Sequence, residues 1–224
     1  MNTILINKII KQMQEENNNN LDEFVKRLNR YLDAEKNQIS LTHINMRPEK
    51  YIKGLMDFCE CFPRDWEILE IGVYAGEGTR IFSEYFKTVY AIDPWKVKIG
   101  ETESESVELY TKNLRAAELS FDELCEENKN IIKLKGFDTE FLNMFDENSL
   151  DIVYIDADHR YEAVKENIIN WFSKVKVGGF ISGHDYHEST PGVIKAVNEL
   201  LGKTLKTFED NSWYQKKEWT CSLS

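Results

Sequence analysis

Three of the four histidines in this 224-residue chain fall in two short stretches that are also rich in aspartate. One reads Asp156-Ala157-Asp158-His159-Arg160, the other His184-Asp185-Tyr186-His187. Each follows an apolar run of strand length, Ile152–Ile155 and Phe180–Ser182. In open α/β sheets, ligands bind beyond the carboxyl ends of the strands, so Asp156, Asp158 and Asp185 are expected to converge on one cleft. Carboxylates gathered in this way repel one another unless a proton or a cation sits among them. Oxygen-rich clusters suit Mg2+, with water and substrate oxygens completing the shell. The competing reading is helix caps and surface salt bridges.

Two further stretches of the same kind lie upstream. Glu70-Ile71-Gly72-Val73-Tyr74-Ala75-Gly76-Glu77-Gly78-Thr79 follows the first strand-like run. Its glycines allow a sharp turn and a close approach of backbone to ligand, and the helix after it offers free amide groups. The spacing G-x-x-x-G-x-G fits neither the dinucleotide fingerprint G-x-G-x-x-G nor the P-loop, since no lysine follows. The next strand-like run ends in Asp93-Pro94-Trp95. An acid about 20 positions beyond the first glycine can accept hydrogen bonds from both hydroxyls of a ribose. Trp95 is either a wall of the adenine or acceptor pocket or a buried aromatic.

These residues need a frame of strand, turn and helix. Apolar runs at Ile68–Ile71, Thr88–Ile92, Ile131–Leu134, Ile152–Ile155 and Phe180–Ser182 read as strands. Helical periods at Thr79–Phe86, Tyr161–Val175 and Val193–Leu201 lie between or after them, the second expected to close at Gly178-Gly179. Leu205–Phe208 and Trp213–Lys216, joined by Asp210-Asn211-Ser212, suggest a final hairpin. This alternation implies an α/β fold with a mostly parallel sheet and helices on both faces. Residues 96–128 are acidic and mostly helical in period, with apolar points at Leu109, Leu114, Leu119 and Leu124, and read as a helical insertion or lid. The run Glu101, Glu103, Glu105, Glu108 reads first as a solvated helix face. A helix is expected from about Pro48 to Cys61, with Pro63 marking its end. Two amphipathic stripes, Ile4 to Met13 and Leu21 to Leu32, precede it around the run Asn17–Asn20. Residues 1–63 are thus expected to form a helical extension and 64–224 the main domain. The stripes must be buried on that domain or on a second subunit, and a homodimer is the expectation.

Composition narrows the function classes. The 28 Lys and Arg against 39 Asp and Glu give a net charge of −11, which argues against a nucleic-acid partner held by phosphate contacts. With 42% apolar and 12% aromatic residues the chain can bury a core. No apolar run approaches the length of a membrane span, and the N-terminus lacks the pattern of a signal peptide, so a soluble, cytoplasmic protein is expected. The four cysteines, Cys59-x-Cys61, Cys125 and Cys221, lack metal or redox spacing and read as reduced thiols.

The motifs EIGVYAGEGT, AIDPW, VYIDADHRYEAVKENI, VKVGGFISGHDY, PGVIKAV and SWYQKK make the stretch Trp66 to Trp219 resemble the class I S-adenosylmethionine-dependent methyltransferases. The closest likeness is to the small-molecule O-methyltransferases related to macrolide and aminocoumarin sugar methyltransferases and to cephalosporin-biosynthesis proteins. The resemblance implies a Rossmann-like sheet of seven strands with a C-terminal antiparallel hairpin. It implies that Gly72 and Gly76 hold the methionine part of the cofactor and Asp93 its ribose, with Phe137 and Asp138 flanking the adenine. Glu70, Tyr74 and Thr79 in the first motif, Pro94 and Trp95 beside Asp93, and Asp156 and His159 are further cofactor contacts on this reading. Metal-dependent relatives place ligands at the positions of Asp156 and Asp185, and some at the residue before the latter. That residue is His184 here, where several sugar methyltransferases have an acid, so His184 is either a ligand to Mg2+ or another metal or a base. Asp158 matches the position of the proposed general base.

The expected reaction is methyl transfer from S-adenosyl-L-methionine to a hydroxyl of a small acceptor such as a sugar, a vicinal diol or a catechol. Asp158 or His184 would take the proton, and Mg2+ on Asp156 and Asp185 would orient neighbouring oxygens. No N-P-P-Y or D-P-P-Y stretch, the cradle for a planar nitrogen in amino-methylating enzymes of this superfamily, follows the fourth strand. A nicotinamide-dependent oxidoreductase and a non-catalytic, cofactor-binding partner subunit are the competing readings.

Overall fold

The computed structural model describes residues 49–96, 105–202 and 205–218. The stripes of residues 4–32, the acids Glu101 and Glu103, Trp219 and Cys221 lie outside them.

The chain runs α1 (Glu49–Cys59), β1 (Glu67–Ile71), α2 (Glu77–Tyr85), β2 (Thr88–Asp93), α3 (Glu105–Glu127) and β3 (Ile131–Lys135). A 3-10 turn (Asp138–Met144), β4 (Leu150–Ile155), α4 (Tyr161–Phe172), β5 (Val175–Gly183), α5 (Pro191–Leu201), β6 (Lys206–Thr207) and β7 (Trp213–Lys216) follow. The sheet has seven strands in the order β3-β2-β1-β4-β5-β7-β6. β1 to β5 pair in parallel, while β7 is antiparallel to both β5 and β6. The fold is the Rossmann-like α/β sheet with a C-terminal antiparallel hairpin. An all-parallel dinucleotide fold would have β6 beside β5 instead of a reversed strand.

Strand composition explains the layering. Every residue of β4, Leu-Asp-Ile-Val-Tyr-Ile, is buried, as befits a central parallel strand covered on both faces. Alternate side chains go to opposite cores. Ile152 and Tyr154 join Phe58, Phe82, Val89 and Phe121 on one face. Val153 and Ile155 join Leu69, Ile71, Ile168, Trp171 and Val197 on the other. The first face is aromatic: Phe58 of α1 meets Phe62, Phe82, Tyr154, Phe208 and Tyr214 at 5.0–6.3 Å between centroids. The described part of residues 1–63 therefore shares the main core.

One boundary differs from expectation. Gly178-Gly179 does not close a helix; α4 ends at Phe172, and the two glycines lie inside β5. Gly178 has φ +86°, and the register with β4 shifts between Leu150–Val175 and Ile152–Phe180. A glycine pair inside a strand marks a bulge, and a β-carbon on Gly179 would lie 2.5 Å from the Asp151 carbonyl oxygen. Lys217 caps the junction of α4 and β5: its buried ammonium donates to the carbonyl oxygens of Phe172 and Val175 and to Asn148 Oδ1. In α3, Leu114 and Leu124 are buried while Leu119 is exposed, so the apolar points of that stretch do not share one face.

Candidate active site

A cleft of about 540 Å³ opens at the carboxyl ends of β1, β2, β3 and β4. Gly72, Tyr74, Asp93 and Pro94 line one side, Phe137 and Asp138 a second, and Asp156, Asp158 and His159 a third. Lys96, Arg160, Glu166 and Asn167, none of which the sequence reading singled out, also line it.

The glycine turn is held by geometry and by charge. Gly72 has φ +91°, and Tyr74 and Gly76 are also left-handed, at +52° and +86°. The Asp93 carboxylate fastens the turn: Oδ2 accepts from the amides of Val73 (3.0 Å) and Tyr74 (2.9 Å), and Oδ1 from that of Trp95 (2.7 Å). Charge-assisted bonds of this kind are among the stronger ones. Asp93 also lines the cleft.

Three residues expected at the cofactor lie beneath the turn instead. Glu70 and Thr79 are buried and bonded to each other through the Thr79 hydroxyl, under the first turn of α2. A carboxylate there complements the helix N-terminus. Trp95 is 5% exposed, donates from Nε1 to the Tyr74 carbonyl oxygen (2.7 Å) and stacks on Phe121 at 5.2 Å. The buried-aromatic alternative holds for it. Gly76 faces α3, where a β-carbon would sit 2.7 Å from Phe121 and 2.8 Å from Leu124. A glycine here lets the turn pack closely against the helix.

After β3, Asp138 reaches across to α4, accepting from Asn167 Nδ2 and Trp171 Nε1, each at 2.9 Å. Phe137 carries the Lys96 ammonium 4.9 Å above its ring.

The acid and histidine stretches do come together. Asp156, His184 and Asp185 each present a ligand atom within 4.8 Å of the others. His184 Nδ1 lies 3.3 Å from Asp185 Oδ2 and 3.8 Å from Asp156 Oδ1. His159 Nε2 is 2.8 Å from Asp185 Oδ2. Burial pushes the Asp185 carboxyl up, but the bonds from His159 and His184 overcome this and hold it below the usual carboxylate range. The bond to Asp185 raises the His159 imidazole above its ordinary value. Two carboxylates and an imidazole at these spacings fit a divalent cation.

Asp158 is placed on the cleft wall but is already engaged. Arg160 donates to it from its backbone amide (2.8 Å), from Nε (2.8 Å) and from a terminal guanidinium nitrogen. Burial raises the Asp158 carboxyl, and these bonds outweigh it and hold the group below the ordinary range. A carboxylate so held is a weak proton acceptor. His159, given by the sequence reading only as a cofactor contact, is the imidazole that lines the cleft and is oriented by an acid. His187 points elsewhere, onto Ser189.

Among the described residues, no helix is long and apolar enough to cross a membrane. A family model described as "Methyltransferase domain" matches residues 69–186. An uncharacterized protein of Acanthamoeba polyphaga mimivirus is 30% identical over 128 residues, or 47% of this chain. The match spans 58% of that relative's length, less than two thirds of it. Among solved structures, the O-methyltransferase NovP superposes with a TM-score of 0.57 at 18% identity, over 75% of this chain and 80% of its own. A protein from Corynebacterium glutamicum superposes with a TM-score of 0.54 at 13% identity, over 95% and 97% of the two chains. With the family match covering over half of the sequence and the cleft in the place the fold reserves for its ligand, the chain belongs to the methyltransferase-domain family, on the class I S-adenosylmethionine-dependent fold.

Proposed function

We propose that this protein transfers the methyl group of S-adenosylmethionine to a hydroxyl of a small molecule, with a divalent cation at Asp156, His184 and Asp185. The carrying observation is that this cluster abuts the Gly72–Asp93 cleft, so that cofactor and acceptor sites are contiguous. The fold likeness to NovP, an O-methyltransferase, supports the oxygen acceptor. The bound cofactor supplies the electrophilic methyl, so the protein's work is alignment, exclusion of water and removal of one proton. Asp156, His184 and Asp185 would hold the cation, which would supply Lewis acidity to lower the acceptor's hydroxyl pKa.

Gly72 lets the backbone approach the cofactor, and Asp93 receives its ribose hydroxyls. His159, oriented by Asp185 and half-exposed to the cleft, takes the acceptor proton. Asp158, kept ionised by Arg160, accepts a hydrogen bond from a second hydroxyl of the acceptor. A vicinal diol, a sugar or a catechol presents such a pair. For residues 1–40 the proposal is a homodimer contact, tested by sedimentation of the chain with and without them.

The test is calorimetric titration with S-adenosylhomocysteine, with and without divalent cation, followed by a mass-detected screen of sugars and catechols. Cofactor-product binding together with a methylated oxygen is the expected result. Binding of NADH in place of S-adenosylhomocysteine would return the oxidoreductase reading. Tight product binding without turnover of any acceptor would favour the partner-subunit reading.

A further inference from the structure

The backbone of His184 is fixed on both sides. Its amide donates to the Ile155 carbonyl oxygen (3.0 Å), and its own carbonyl accepts from Trp213 Nε1 (3.1 Å). Its side chain is 11% exposed, and the two ring nitrogens face different partners. Nδ1 is turned to Asp156 and Asp185 at the cleft. Nε2 is turned to Asp210 Oδ2, 3.7 Å away in the turn before β7. Asp210 is fully buried and belongs to the core. It accepts from the Ser212 amide (3.2 Å) and hydroxyl (2.6 Å), and that hydroxyl also meets the Tyr154 hydroxyl at 2.6 Å. Above it α1 closes so tightly that a β-carbon on Gly54 would lie 2.5 Å from the Asp210 amide nitrogen. Asp210 is thus held behind the imidazole and is not itself a cleft residue.

We infer that His184 Nδ1 ligates the cation of this site, that the ion is a first-row transition metal of the Fe2+/Co2+ class in preference to Mg2+, and that Asp210 is the positioning residue for His184. The inference rests on the cation-assisted reading above. Mg2+ favours oxygen donors and keeps most of its water, whereas imidazole suits the later first-row ions. A ligating histidine almost always gives its second N–H to a carboxylate or carbonyl, which fixes the tautomer and the ring plane. Asp210 stands on the Nε2 side of His184, 3.7 Å away, so with a cation bound the imidazole proton would sit on Nε2 and the lone pair of Nδ1 would be free for the ion. His159 on Asp185 Oδ2 plays the corresponding part for that carboxylate.

The experiment uses the full chain, stripped with a chelator and titrated separately with Co2+, Mn2+ and Mg2+. S-adenosylhomocysteine binding and a thermal melt are recorded on the same preparations. Co2+ is expected to bind at least about tenfold more tightly than Mg2+, and bound Mn2+ to show nitrogen modulation in pulsed electron paramagnetic resonance. His184→Asp leaves an all-oxygen donor set, so the nitrogen signal is lost and the Co2+ to Mg2+ ratio falls by about tenfold. Asp210→Asn keeps the nitrogen signal but weakens Co2+ by about 10–100-fold, with S-adenosylhomocysteine affinity unchanged. If Asp210→Asn does not fold, the wild-type and His184→Asp data alone decide the ligand and the ion. Equal affinity for Mg2+ and Co2+, Mn2+ bound without nitrogen modulation, or no binding of any of the three ions would overturn the inference. Co2+ binding without S-adenosylhomocysteine binding would leave it standing and bring down the methyl-transfer reading.

Discussion

Gly72 lies so close to Asp156 that a β-carbon on it would fall 2.2 Å from the Asp156 carbonyl oxygen. The contact joins the end of β1 to the end of β4, the strand that leads into Asp156 of the acid and histidine cluster. It also closes the floor of the cleft between the turn and the acids. Gly72→Ala meets both this backbone clash and a φ of +91°. A loss of on the order of 3 kcal/mol in denaturant unfolding is expected, together with loss of S-adenosylhomocysteine binding. A variant that binds the product normally would remove Gly72 from the cofactor site.

Asp93 gives a second prediction. Its carboxylate serves three backbone amides at once, and an amide side chain offers one acceptor oxygen in place of two. Asp93→Asn should therefore cost about 1–3 kcal/mol of stability and weaken S-adenosylhomocysteine by at least about tenfold, both read by titration and melting.

The division of labour between Asp158 and His159 is separable by kinetics. His159→Gln should lower turnover by about 10²–10³-fold with product affinity little changed, because a proton acceptor is lost. Asp158→Asn should mainly raise the acceptor KM. If Asp158→Asn is instead the variant that abolishes turnover, the base belongs at Asp158 and the Arg160 clamp must open during the reaction.

Glu118 on α3 binds Lys133 at 2.9 Å and Lys135 at 2.6 Å across to β3. Burial raises its carboxyl, and the bonds to the two lysines outweigh this and hold it below the ordinary value. The unfolded chain then takes up the proton more readily than the folded one. The stabilisation is present above the unfolded glutamate pKa, about 4.3, and is lost as the pH falls through the lower folded value. Lys135 is largely exposed, so the effect is expected to be no more than about 1 kcal/mol. Unfolding midpoints between neutral and acid pH should fall less steeply for Glu118→Gln than for the wild type.

Much of the fold was legible because the signals were local. Five parallel strands announced themselves as apolar runs, and the acids after them sit where topology sends them. Gly72, Asp93, Asp156 and Asp185 stand at the carboxyl ends of strands, where their type and spacing pointed. What was not legible depends on partners distant in sequence. Trp95 could line a pocket or fill a core, and only the docking of Phe121 against it decides. Glu70 and Thr79 belong to the right motif, but the pleat of β1 turns Glu70 under α2, where the Thr79 hydroxyl of that helix bonds it. The bond between Arg160 and Asp158 is an exception, local at two residues' separation yet signalled by no periodicity. Asp210 read as a turn residue, and its place behind His184 appears only once β7 is known to run against β5. Gly178-Gly179 carried the composition of a helix stop, and the bulge it makes depends on pairing with β4.

The reversed course of β7 has an evolutionary corollary. Since β7 is antiparallel to β5, the turn preceding it lies at the same end of the sheet as the cleft. Ordinarily a hairpin at the margin of a sheet is free to drift, gaining or losing residues with little effect on what the protein does. Here one arm of that hairpin, at residues 208–212, abuts the imidazole of His184, so its length is tied to the chemistry. The bulge inside β5 is at the opposite end, where insertions leave the cleft untouched. Variation among relatives of this chain should be sparse at the first place and plentiful at the second.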